Sequence, residues 1–483
     1  MEDKSLAKSF IYNLIGFSIP VWIQFFLSFI SAPITTRLFI PAEMGKINLF
    51  STYLSMFILI ALLGLDQSFV RYYNEPPSKN DMNSLNKICM LITLFSSTFI
   101  GGFILLFWNK ISLMITDAVS LLVPICLIIS LYANIFLRFF GLFFRMQGNV
   151  FIYSLQAIAI TVVSKILFII VALWNPNHIN AIIAITLGYV IIMVTFLIYQ
   201  NHKVKRNTLY LDDETIKALF KYGLPLLPIT VLSWLNNSLG QLMLNKYIDF
   251  AAIGIYSNAV AVASIISLLQ AGFNTYWAPF VYKGYKTQAL KIQKIHNIIT
   301  FGMILFGLMI ILGQDVIYLL IGENFRSSKI FFPLLLVTPI CYTIAETTGL
   351  GIAISKKSYL NIITFLGNVT VNILLCIILL PTIGIMGAAI AAASAGIIML
   401  ILKTVIGERY YKCITSYRKT FSSVIIFIIA AICNIIFFNN PLQKYISILF
   451  LACILIFIYR NEVLYMIRII KEIFKDFFNN RKD

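Results

Sequence analysis

Charged residues are scarce in this chain. Asp, Glu, Lys and Arg together make up 12% of the 483 residues, whereas hydrophobic residues make up 60%. A soluble protein carries roughly 25% charged residues, because its surface faces water. A chain with half that fraction has too few polar side chains to cover a water-exposed fold. The composition therefore predicts an all-α integral membrane protein whose outer surface contacts lipid.

Patterns for metal binding, disulfides and common catalytic sites are also missing. The seven cysteines form no C-x-x-C pair, and the chain has three histidines, so we expect neither a disulfide framework nor a Cys/His metal site. No phosphate-binding G-x-x-x-x-G-K-[ST], zinc-binding H-E-x-x-H or nucleophile-elbow motif occurs. The sequence therefore predicts a protein that is not an enzyme, uses no cofactor and does not consume ATP directly. Coupling to a proton or Na⁺ gradient stays open.

Long apolar runs are abundant instead. A helix that crosses a bilayer needs about 20 mostly apolar residues. About fourteen such runs occur, separated by loops too short for a soluble domain, at residues 10–36, 46–69, 87–108, 117–141, 152–174, 180–200, 222–246, 252–277, 296–320, 329–353, 358–380, 384–405, 419–438 and 442–460. The first run lacks a small-residue cleavage site, so we predict a retained helix. Kinks are expected at Pro20, Pro33, Pro225, Pro228, Pro333 and Pro339.

Lysine and arginine are divided unevenly between the two sides of these runs. Of the 37 such residues, 29 lie on the side of the N-terminus, 7 lie on the opposite side, and Lys165 lies within a run. Lys403, near the end of the twelfth run, is counted on the N-terminal side. The positive-inside rule then predicts cytoplasmic N- and C-termini in a multi-pass membrane protein. The net charge of +18 thus reflects topology, and we expect no nucleic acid partner.

An internal repeat relates the two halves of the chain. Ala42-Glu43-Met44-Gly45 corresponds to Ala251-Ala252-Ile253-Gly254, and Gly64-Leu65-Asp66 corresponds to Gly272-Phe273-Asn274, at nearly the same offset. Six spans per repeat predict two parallel six-helix lobes, which move by alternating access around a central site. The predicted lobes are residues 1–206 and residues 207–412, followed by two C-terminal helices at 413–460.

Two amphipathic segments flank these spans. Asp212-Asp213-Glu214 predicts a capped linker helix that leads into the seventh span. Residues 461–483 carry apolar side chains at helical spacing and predict an amphipathic tail on the cytoplasmic membrane surface. The alternative for this tail is a helix that packs against the cytoplasmic loops.

Four motifs resemble those of a known transporter family. They are Arg37-Leu-Phe-x-Pro41-Ala-Glu-Met-Gly45, Gly64-Leu-Asp66-Gln-Ser-Phe69-Val-Arg71-Tyr-Tyr73, Ala252-Ile-Gly254-Ile-Tyr256 and Gly384-Ile-Met-Gly387-Ala-Ala-Ile-Ala-Ala. With the topology, they resemble the Wzx-type polysaccharide transporters of the multidrug/oligosaccharidyl-lipid/polysaccharide exporter superfamily. The resemblance implies a flippase that moves undecaprenyl-pyrophosphate-linked oligosaccharides, such as O-antigen, capsule or teichoic-acid precursors, from the inner to the outer leaflet. It also implies membrane lipids, glycosyltransferases and a polysaccharide polymerase as partners.

Charges inside the spans are the first candidates for the transport path. An ionised side chain at the bilayer centre costs at least about 2.5 kcal/mol, so it usually faces a cavity or a partner. Lys165 lies about 18 Å from the start of the fifth span, near the midplane, and Glu346 lies inside the tenth. Our hypothesis is that Lys165 contacts the anionic headgroup and that Glu346 pairs with a cation or titrates. The alternative for both is a structural ion pair.

Further candidates lie at the ends of the spans and on the seventh span. The resemblance makes the cytoplasmic-end residues candidates for an inward gate or phosphate site, although snorkelling to the interface is the alternative for the arginines. The amides of the seventh span are candidates for sugar binding, and interhelical hydrogen bonds are their alternative. These candidates are Asp66, Arg71, Arg138, Arg145, Asn236, Asn237 and Gln241, with Arg37 and Lys246 at the outer ends.

Three other functions compete with this one. A cation-coupled multidrug exporter and a lipid II flippase belong to the same superfamily, whereas a membrane-bound polymerase or ligase would be an enzyme. The enzyme would need a large outer loop with catalytic residues, which no interval between the apolar runs supplies. Intramembrane basic residues favour a phosphorylated lipid over a cationic drug.

Overall fold

Helices account for the regular structure of this protein. The computed structural model describes residues 22–77, 82–203, 212–266, 269–270, 273, 277, 280–282, 284–357 and 359–468, and these residues contain no strand. The predicted fold class, an all-α membrane protein, is thereby confirmed. The start of the first predicted span and residues 469–483 of the predicted tail lie outside the described residues.

The described residues contain eleven helices that are long and apolar enough to cross a membrane, or twelve when one bent helix pair is taken as a single span. Two of the fourteen predicted spans are not among these twelve. The span predicted at 10–36 is described only from residue 22, and the one predicted at 252–277 contains the shorter apolar helix Phe250–Ile266, after which several residues are not described. The number fourteen therefore stays a prediction.

The chain divides into two compact units, of which the first comprises Met1–Ala261 and Ile321–Phe325. Helix α1 is described from residue 22 to residue 38. The other helices of this unit are α2 (Pro41–Leu62), α3 (Leu65–Tyr72), α4 (Met82–Leu106), α5 (Trp108–Thr116), α6 (Leu122–Met146), α7 (Val150–Val162), α8 (Phe168–Ala172), α9 (His178–Lys203), α10 (Asp213–Gly223), α11 (Leu227–Tyr247) and α12 (Phe250–Ala263), the last of which extends just past its boundary.

The second unit comprises Val262–Leu320 and Arg326–Asp483. Its helices are α13 (Ala289–Leu320), α14 (Phe332–Thr348), α15 (Leu350–Ile354), α16 (Leu360–Ile383), α17 (Ile385–Glu408), α18 (Tyr417–Ile436), α19 (Pro441–Ile458) and α20, which is described over residues 460–468. Helices α14, α16 and α17 pack closely, and a Cβ at Gly396 of α17 would lie 2.9 Å from the Cα of Thr338 on α14. The boundaries of the two lobes, residues 1–206 and 207–412, are predicted from the internal repeat, and this division does not test them.

Side-chain caps explain where several helices begin. Asn149 accepts a hydrogen bond from the Ile152 backbone N–H at 3.3 Å at the start of α7. Asp212 does the same for the Thr215 N–H at 3.4 Å at the start of α10. The capped linker helix predicted from the acidic run is therefore confirmed.

Proline accounts for two breaks in the spans. Pro225 lies in the 3₁₀ turn Leu224–Leu226 that separates α10 from α11. The 3₁₀ segment Glu323–Ile330 meets α14 at an angle of 60°, and Pro333 stands at the beginning of α14. Proline lacks the backbone N–H that would continue the helix, so breaks form beside Pro225 and Pro333. Pro33 and Pro339, where kinks are also predicted, lie inside uninterrupted helices.

A glycine corner joins α3 to α10 within the first unit. Leu63 and Gly64 both adopt left-handed backbone angles, with φ of 49° and 75°, and this turn separates α2 from α3. A Cβ at Gly64 would lie closer than 3.0 Å to the backbone carbonyl group of Gly223, the last residue of α10. Four residues later, the Ser68 hydroxyl donates a hydrogen bond to the Leu219 carbonyl oxygen at 2.7 Å. The corner therefore needs glycine both for its conformation and for its close backbone approach.

The loop after α17 is closed by an acidic side chain. Glu408 accepts hydrogen bonds from the backbone N–H groups of Cys413 at 2.7 Å and Ile414 at 3.1 Å. Burial, together with the negative charge of Glu408, raises the pKa of Cys413 to about 12. This thiol is therefore protonated and unreactive at neutral pH.

Helix α20, the described start of the predicted tail, packs on the second unit. Its Glu462 carboxylate accepts hydrogen bonds from Lys419 Nζ at 3.1 Å and Asn297 Nδ2 at 3.0 Å. Lys294 Nζ lies 3.1 Å from the centre of the Tyr465 ring. This part of the tail follows the packing alternative, whereas the segment predicted to lie on the membrane continues beyond the described residues.

The glycine corner can be tested by comparing two alanine substitutions. Gly64 and Gly148 have similar φ values, 75° and 72°, but nothing lies within 4 Å of a Cβ at Gly148. Gly148→Ala should cost about 1–2 kcal/mol of unfolding free energy for its left-handed conformation. Gly64→Ala should cost about 1–3 kcal/mol more, because the backbone of Gly223 must also move. Thermal unfolding of the purified proteins measures the difference, and equal shifts in Tm would contradict the close approach.

Candidate functional site

A buried carboxylate fixes an accessible arginine in the first unit. Asp66 lies in the first turn of α3, where the helix N-terminus stabilises negative charge. Its Oδ2 atom accepts hydrogen bonds from Arg138 Nη2 on α6 at 2.7 Å and from Gln67 Nε2 at 3.0 Å. The side chain of Asp66 is 9% exposed, whereas that of Arg138 is 46% exposed. The arginine is thus held in place from one side and remains accessible on the other.

The other two candidate arginines at the predicted cytoplasmic ends, Arg71 and Arg145, have no buried carboxylate partner among the described residues. Arg71 pairs with Glu75 at 3.2 Å on an exposed helix face, and not with Asp66. Arg145 is exposed at the end of α6, and no ion pair is found for it in the part of the chain that the structure describes. The exposed Arg71–Glu75 pair contributes little to stability, so Arg138 is the arginine that the fold positions.

A cavity opens beside the end of α6. It has a volume of about 570 Å³ and lies among the ends of α3, α4, α6 and α7. Its lining contains amides, a phenol and two thioethers, from Tyr73, Met82, Asn83, Met146, Gln147 and Asn149. Arg145 immediately precedes two of these residues in the chain. The cavity therefore offers neutral hydrogen-bonding groups next to an exposed cation.

Lys165 lies in a widened helical turn in the interior of a membrane span. The π-helical turn Val163–Leu167 joins α7 to α8, and its lysine is about two helical turns from the nearer end of the span. The Lys165 side chain is exposed, and no ion pair or hydrogen bond is found for it among the described residues. Lys165 is thus a lysine within a membrane span to which the described residues supply no counter-charge.

Gly188 on α9 makes room for this widened turn. A Cβ at Gly188 would lie 2.6 Å from Val163 Cγ1 and 2.7 Å from Leu167 Cδ2. Turns of the π type add one residue to a helix and are frequent at functional sites. The glycine therefore permits the local geometry that sets the direction of Lys165.

Glu346 in the second unit has a partner that the sequence analysis did not assign to it. Its Oε1 atom forms a short ion pair with Nζ of Lys403 on α17. The Lys403 side chain is 7% exposed and that of Glu346 is 31% exposed. Counting Lys403 with the cytoplasmic loop charges was wrong, because the lysine is buried inside a helix five residues before its end. Glu346 is therefore neutralised by a lysine of its own unit.

The seventh span holds its amides in two different ways. Gln241 Oε1 accepts a hydrogen bond from the Thr52 hydroxyl on α2, which is the interhelical contact considered as its alternative. Asn236 is half-buried and Asn237 is exposed, and the described residues supply no hydrogen bond to either side chain. At the predicted outer ends, Arg37 and Lys246 are exposed, and Lys246 Nζ lies 5.3 Å from the Tyr247 ring centre.

A second charged cluster in the second unit was missed from the sequence. The Asp315 carboxylate pairs with Lys444 at 2.8 Å, forms a shorter contact with Lys329, and accepts a hydrogen bond from the Tyr445 hydroxyl. The Lys444 side chain is 2% exposed, so this cluster joins α13 to α19 and offers little access to a ligand. The available signal was an aspartate inside an apolar run with lysines in the neighbouring outer loops.

The family of the chain follows from comparison with known proteins. The model of the polysaccharide biosynthesis protein family matches residues 11–285, which is more than half of the sequence. The chain belongs to this family. Lsg locus putative protein 1 of Haemophilus influenzae is 22% identical over 309 residues, which cover 61% of this chain and 72% of that protein.

Two solved structures of transporters share the fold. The lipid II flippase MurJ in an inward closed conformation matches with a TM-score of 0.69 at 15% identity, covering 93% of this chain and 100% of that structure. An inward-facing multidrug resistance MATE family transporter of the MOP superfamily matches with a TM-score of 0.51 at 17% identity, covering 82% and 97%. The resemblance drawn from the motifs is confirmed for the family, and the described helices share their fold with these solved structures of membrane transporters.

The Glu346–Lys403 pair can be tested by removing one or both charges. Glu346→Gln should lower the free energy of unfolding by about 3–5 kcal/mol, because it leaves Lys403 buried without a counter-charge. The double variant Glu346→Gln/Lys403→Met should recover most of that loss. Glu75→Gln, which breaks the exposed pair with Arg71, is the matched control and should cost less than about 1 kcal/mol. Thermal unfolding provides the measurement, and a double variant as unstable as the single one would refute the pairing.

Proposed function

We propose that this transporter is a flippase for undecaprenyl-pyrophosphate-linked oligosaccharide repeat units, such as precursors of O-antigen, capsule or teichoic acid. It moves them from the inner to the outer leaflet of the bacterial cytoplasmic membrane by alternating access. The observation that carries this proposal is Lys165, an exposed lysine at membrane depth to which the described residues supply no carboxylate partner. Membership in a polysaccharide biosynthesis family supports the choice of cargo.

The charges favour an anionic cargo over a cationic drug. A cation exporter needs an accessible carboxylate that is free to bind its substrate. In this chain Asp66 is bonded to Arg138, and Glu346 is bonded to Lys403. Lys165 and the open side of Arg138 leave positive charge for a pyrophosphate group, which cations bind through charge-assisted hydrogen bonds. A lipid II flippase is the second candidate, since the fold of MurJ matches and a pyrophosphate would suit the same cations.

The cavity beside α6 is the proposed first contact for the sugar part of the substrate. Its amide and phenol groups, including Asn83, Gln147 and Tyr73, match the hydroxyl and acetamido groups of sugars. The exposed cation of Arg145 next to it suits the phosphate that links sugar and lipid. Both lie on the side that the positive-inside rule assigns to the cytoplasm, where lipid-linked precursors and their glycosyltransferases are expected.

An anionic cargo also suggests an energy source. Moving one negative charge outward across an inside-negative membrane is favourable by about 2.3 kcal/mol per 100 mV. We therefore propose that the membrane potential assists export, with a proton or Na⁺ as an additional coupling ion. Removal of the exported precursor by a polysaccharide polymerase on the outer face would keep the reaction directed outward.

Substitution of Lys165 tests the headgroup contact. Lys165→Met should lower the rate of flipping in proteoliposomes by about tenfold or more, because a hydrogen bond between charged groups is lost. Lys165→Arg should retain much of the activity, since the charge remains. Lys110→Met, at an exposed lysine of α5, is the control and should leave the rate unchanged. If Lys165→Met folds normally and transports at the parental rate, the headgroup role is wrong.

Depletion in the native host tests the substrate class. Loss of the protein should cause one lipid-linked saccharide to accumulate in the inner leaflet, and mass spectrometry of the lipid extract identifies its sugars. Accumulation of lipid II would favour the second candidate. An unchanged pool of lipid-linked saccharides, with increased sensitivity to cationic drugs, would refute both flippase assignments.

A further inference from the structure

Two glycines of the first unit hold the backbones of α2 and α12 against each other. A Cβ at Gly45 would lie closer than 3.0 Å to the Phe250 carbonyl carbon and oxygen and 3.3 Å from the Gly254 nitrogen. A Cβ at Gly254 would in turn lie closer than 3.0 Å to the Pro41 carbonyl group. Real side chains do not approach a backbone this closely, so both positions require glycine while the contact exists.

The contact is reciprocal in a way that the internal repeat explains. Gly45 and Gly254 correspond to each other in the repeat, and so do Pro41 and Phe250. Each glycine therefore contacts the residue that lies four positions before the other glycine. Both contacts fall at the helix starts, since α2 begins at Pro41 and α12 begins at Phe250. Equivalent ends of the two repeats thus meet on the predicted outer side.

A third glycine extends this contact to the end of α1. The Gly322 backbone N–H donates a hydrogen bond to the Thr36 hydroxyl at 3.0 Å. A Cβ at Gly322 would lie closer than 3.0 Å to the Thr36 carbonyl group. We call the contacts of Gly45, Gly254 and Gly322 the glycine seam.

The bonds around the seam differ in strength. On its other side α2 is fixed to α9, because the Glu43 carboxylate accepts hydrogen bonds from the His178 backbone N–H at 2.6 Å and bonds its Nδ1 atom at 2.7 Å. Towards α12, the close backbone contacts are supplemented by Lys46 Nζ at 5.8 Å from the Phe250 ring centre. A contact between glycine and a carbonyl group is weak compared with a charge-assisted hydrogen bond. Helix α2 therefore separates more easily from α12 than from α9.

From this geometry we propose that the glycine seam is the outer closure of the transport path. It opens when the first turns of α2 and α12 separate, and it closes only while both glycines lack a side chain. The inference rests on the alternating-access mechanism of the proposed function. Small residues are the general means by which helices approach closely in membranes, and here they serve a contact that must form and break.

A distance measurement tests this closure without any substrate. Spin labels are attached to cysteines at Ile40 and Ile248, which are exposed beside the starts of α2 and α12, after the two cysteines that are not buried, Cys433 and Cys453, are replaced by serine. Gly45→Ala and Gly254→Ala should each increase the population with the longer distance by about tenfold, because the added methyl group overpacks the closed state. Gly102→Ala, where nothing lies within 4 Å of a Cβ, is the matched control and should keep the parental distribution.

The outcomes separate the seam from the cargo. If both seam variants fold and keep the parental distances, the closure is wrong, whatever the protein transports. A longer distance in Gly102→Ala as well would also count against it, since the effect would then not depend on the seam. If the substrate assignment fails while the distances shift as expected, only the proposed function is overturned.

Cross-linking covers the case in which the alanine variants do not fold. A reducible bifunctional thiosulfonate, matched in length to the parental distance, bridges the cysteines at Ile40 and Ile248 in the protein that keeps all its glycines. Flipping should stop after bridging and return after reduction, while each single-cysteine variant treated with the same reagent should remain active. Continued flipping by the fully bridged protein would show that the seam does not open.

Discussion

A hydrocarbon bilayer supplies no hydrogen bonds and no counter-ions, and the arrangement of charges in this protein follows from that constraint. Four carboxylates of its described helices each have a partner side chain within their own unit. Glu43 bonds His178, Asp66 bonds Arg138, Asp315 bonds Lys444, and Glu346 bonds Lys403. Lys165 differs from these residues, because the described residues supply it with no ion pair.

The free-energy cost of a positive charge without a partner depends on its depth in the membrane. An arginine near the end of a span, such as Arg145, reaches water or phosphate headgroups at little cost. Lys165 cannot do so, because about two helical turns separate it from the nearer end of its span. Among the described residues, the lysine that is costly to hold at membrane depth is Lys165, whereas the less costly charges lie near the ends of the spans. This gradient fits the cargo of the proposed function, whose phosphate would be attracted near the surface before it reaches Lys165.

The sequence allowed prediction of the fold class and of the individual charges, but not of their pairing. A lysine inside an apolar run is visible without a structure, so Lys165 was found. Lys403 was missed because a lysine near the end of a run looks like a loop charge. The left-handed turn at Leu63 and Gly64 starts a new helix that holds both Asp66 and Arg71. Five positions apart on this helix, the two side chains do not face each other, and Asp66 pairs with Arg138. Such a turn depends on contacts with residues far away in the sequence, here Gly223, which helical periodicity does not report.

The π-helical turn around Lys165 has a consequence for how relatives of this chain can diverge. A π turn contains one residue more than an α-helical turn, so the loss of a single residue from Val163–Leu167 would restore regular α-helix. The helix beyond the deletion would then rotate by about 100° relative to the part before it. A different side chain would take the direction of Lys165, while the rest of the span would keep its length almost unchanged. Insertions and deletions of one residue here, which are usually harmful within a helix, can thus exchange the side chain that the proposed function assigns to the cargo.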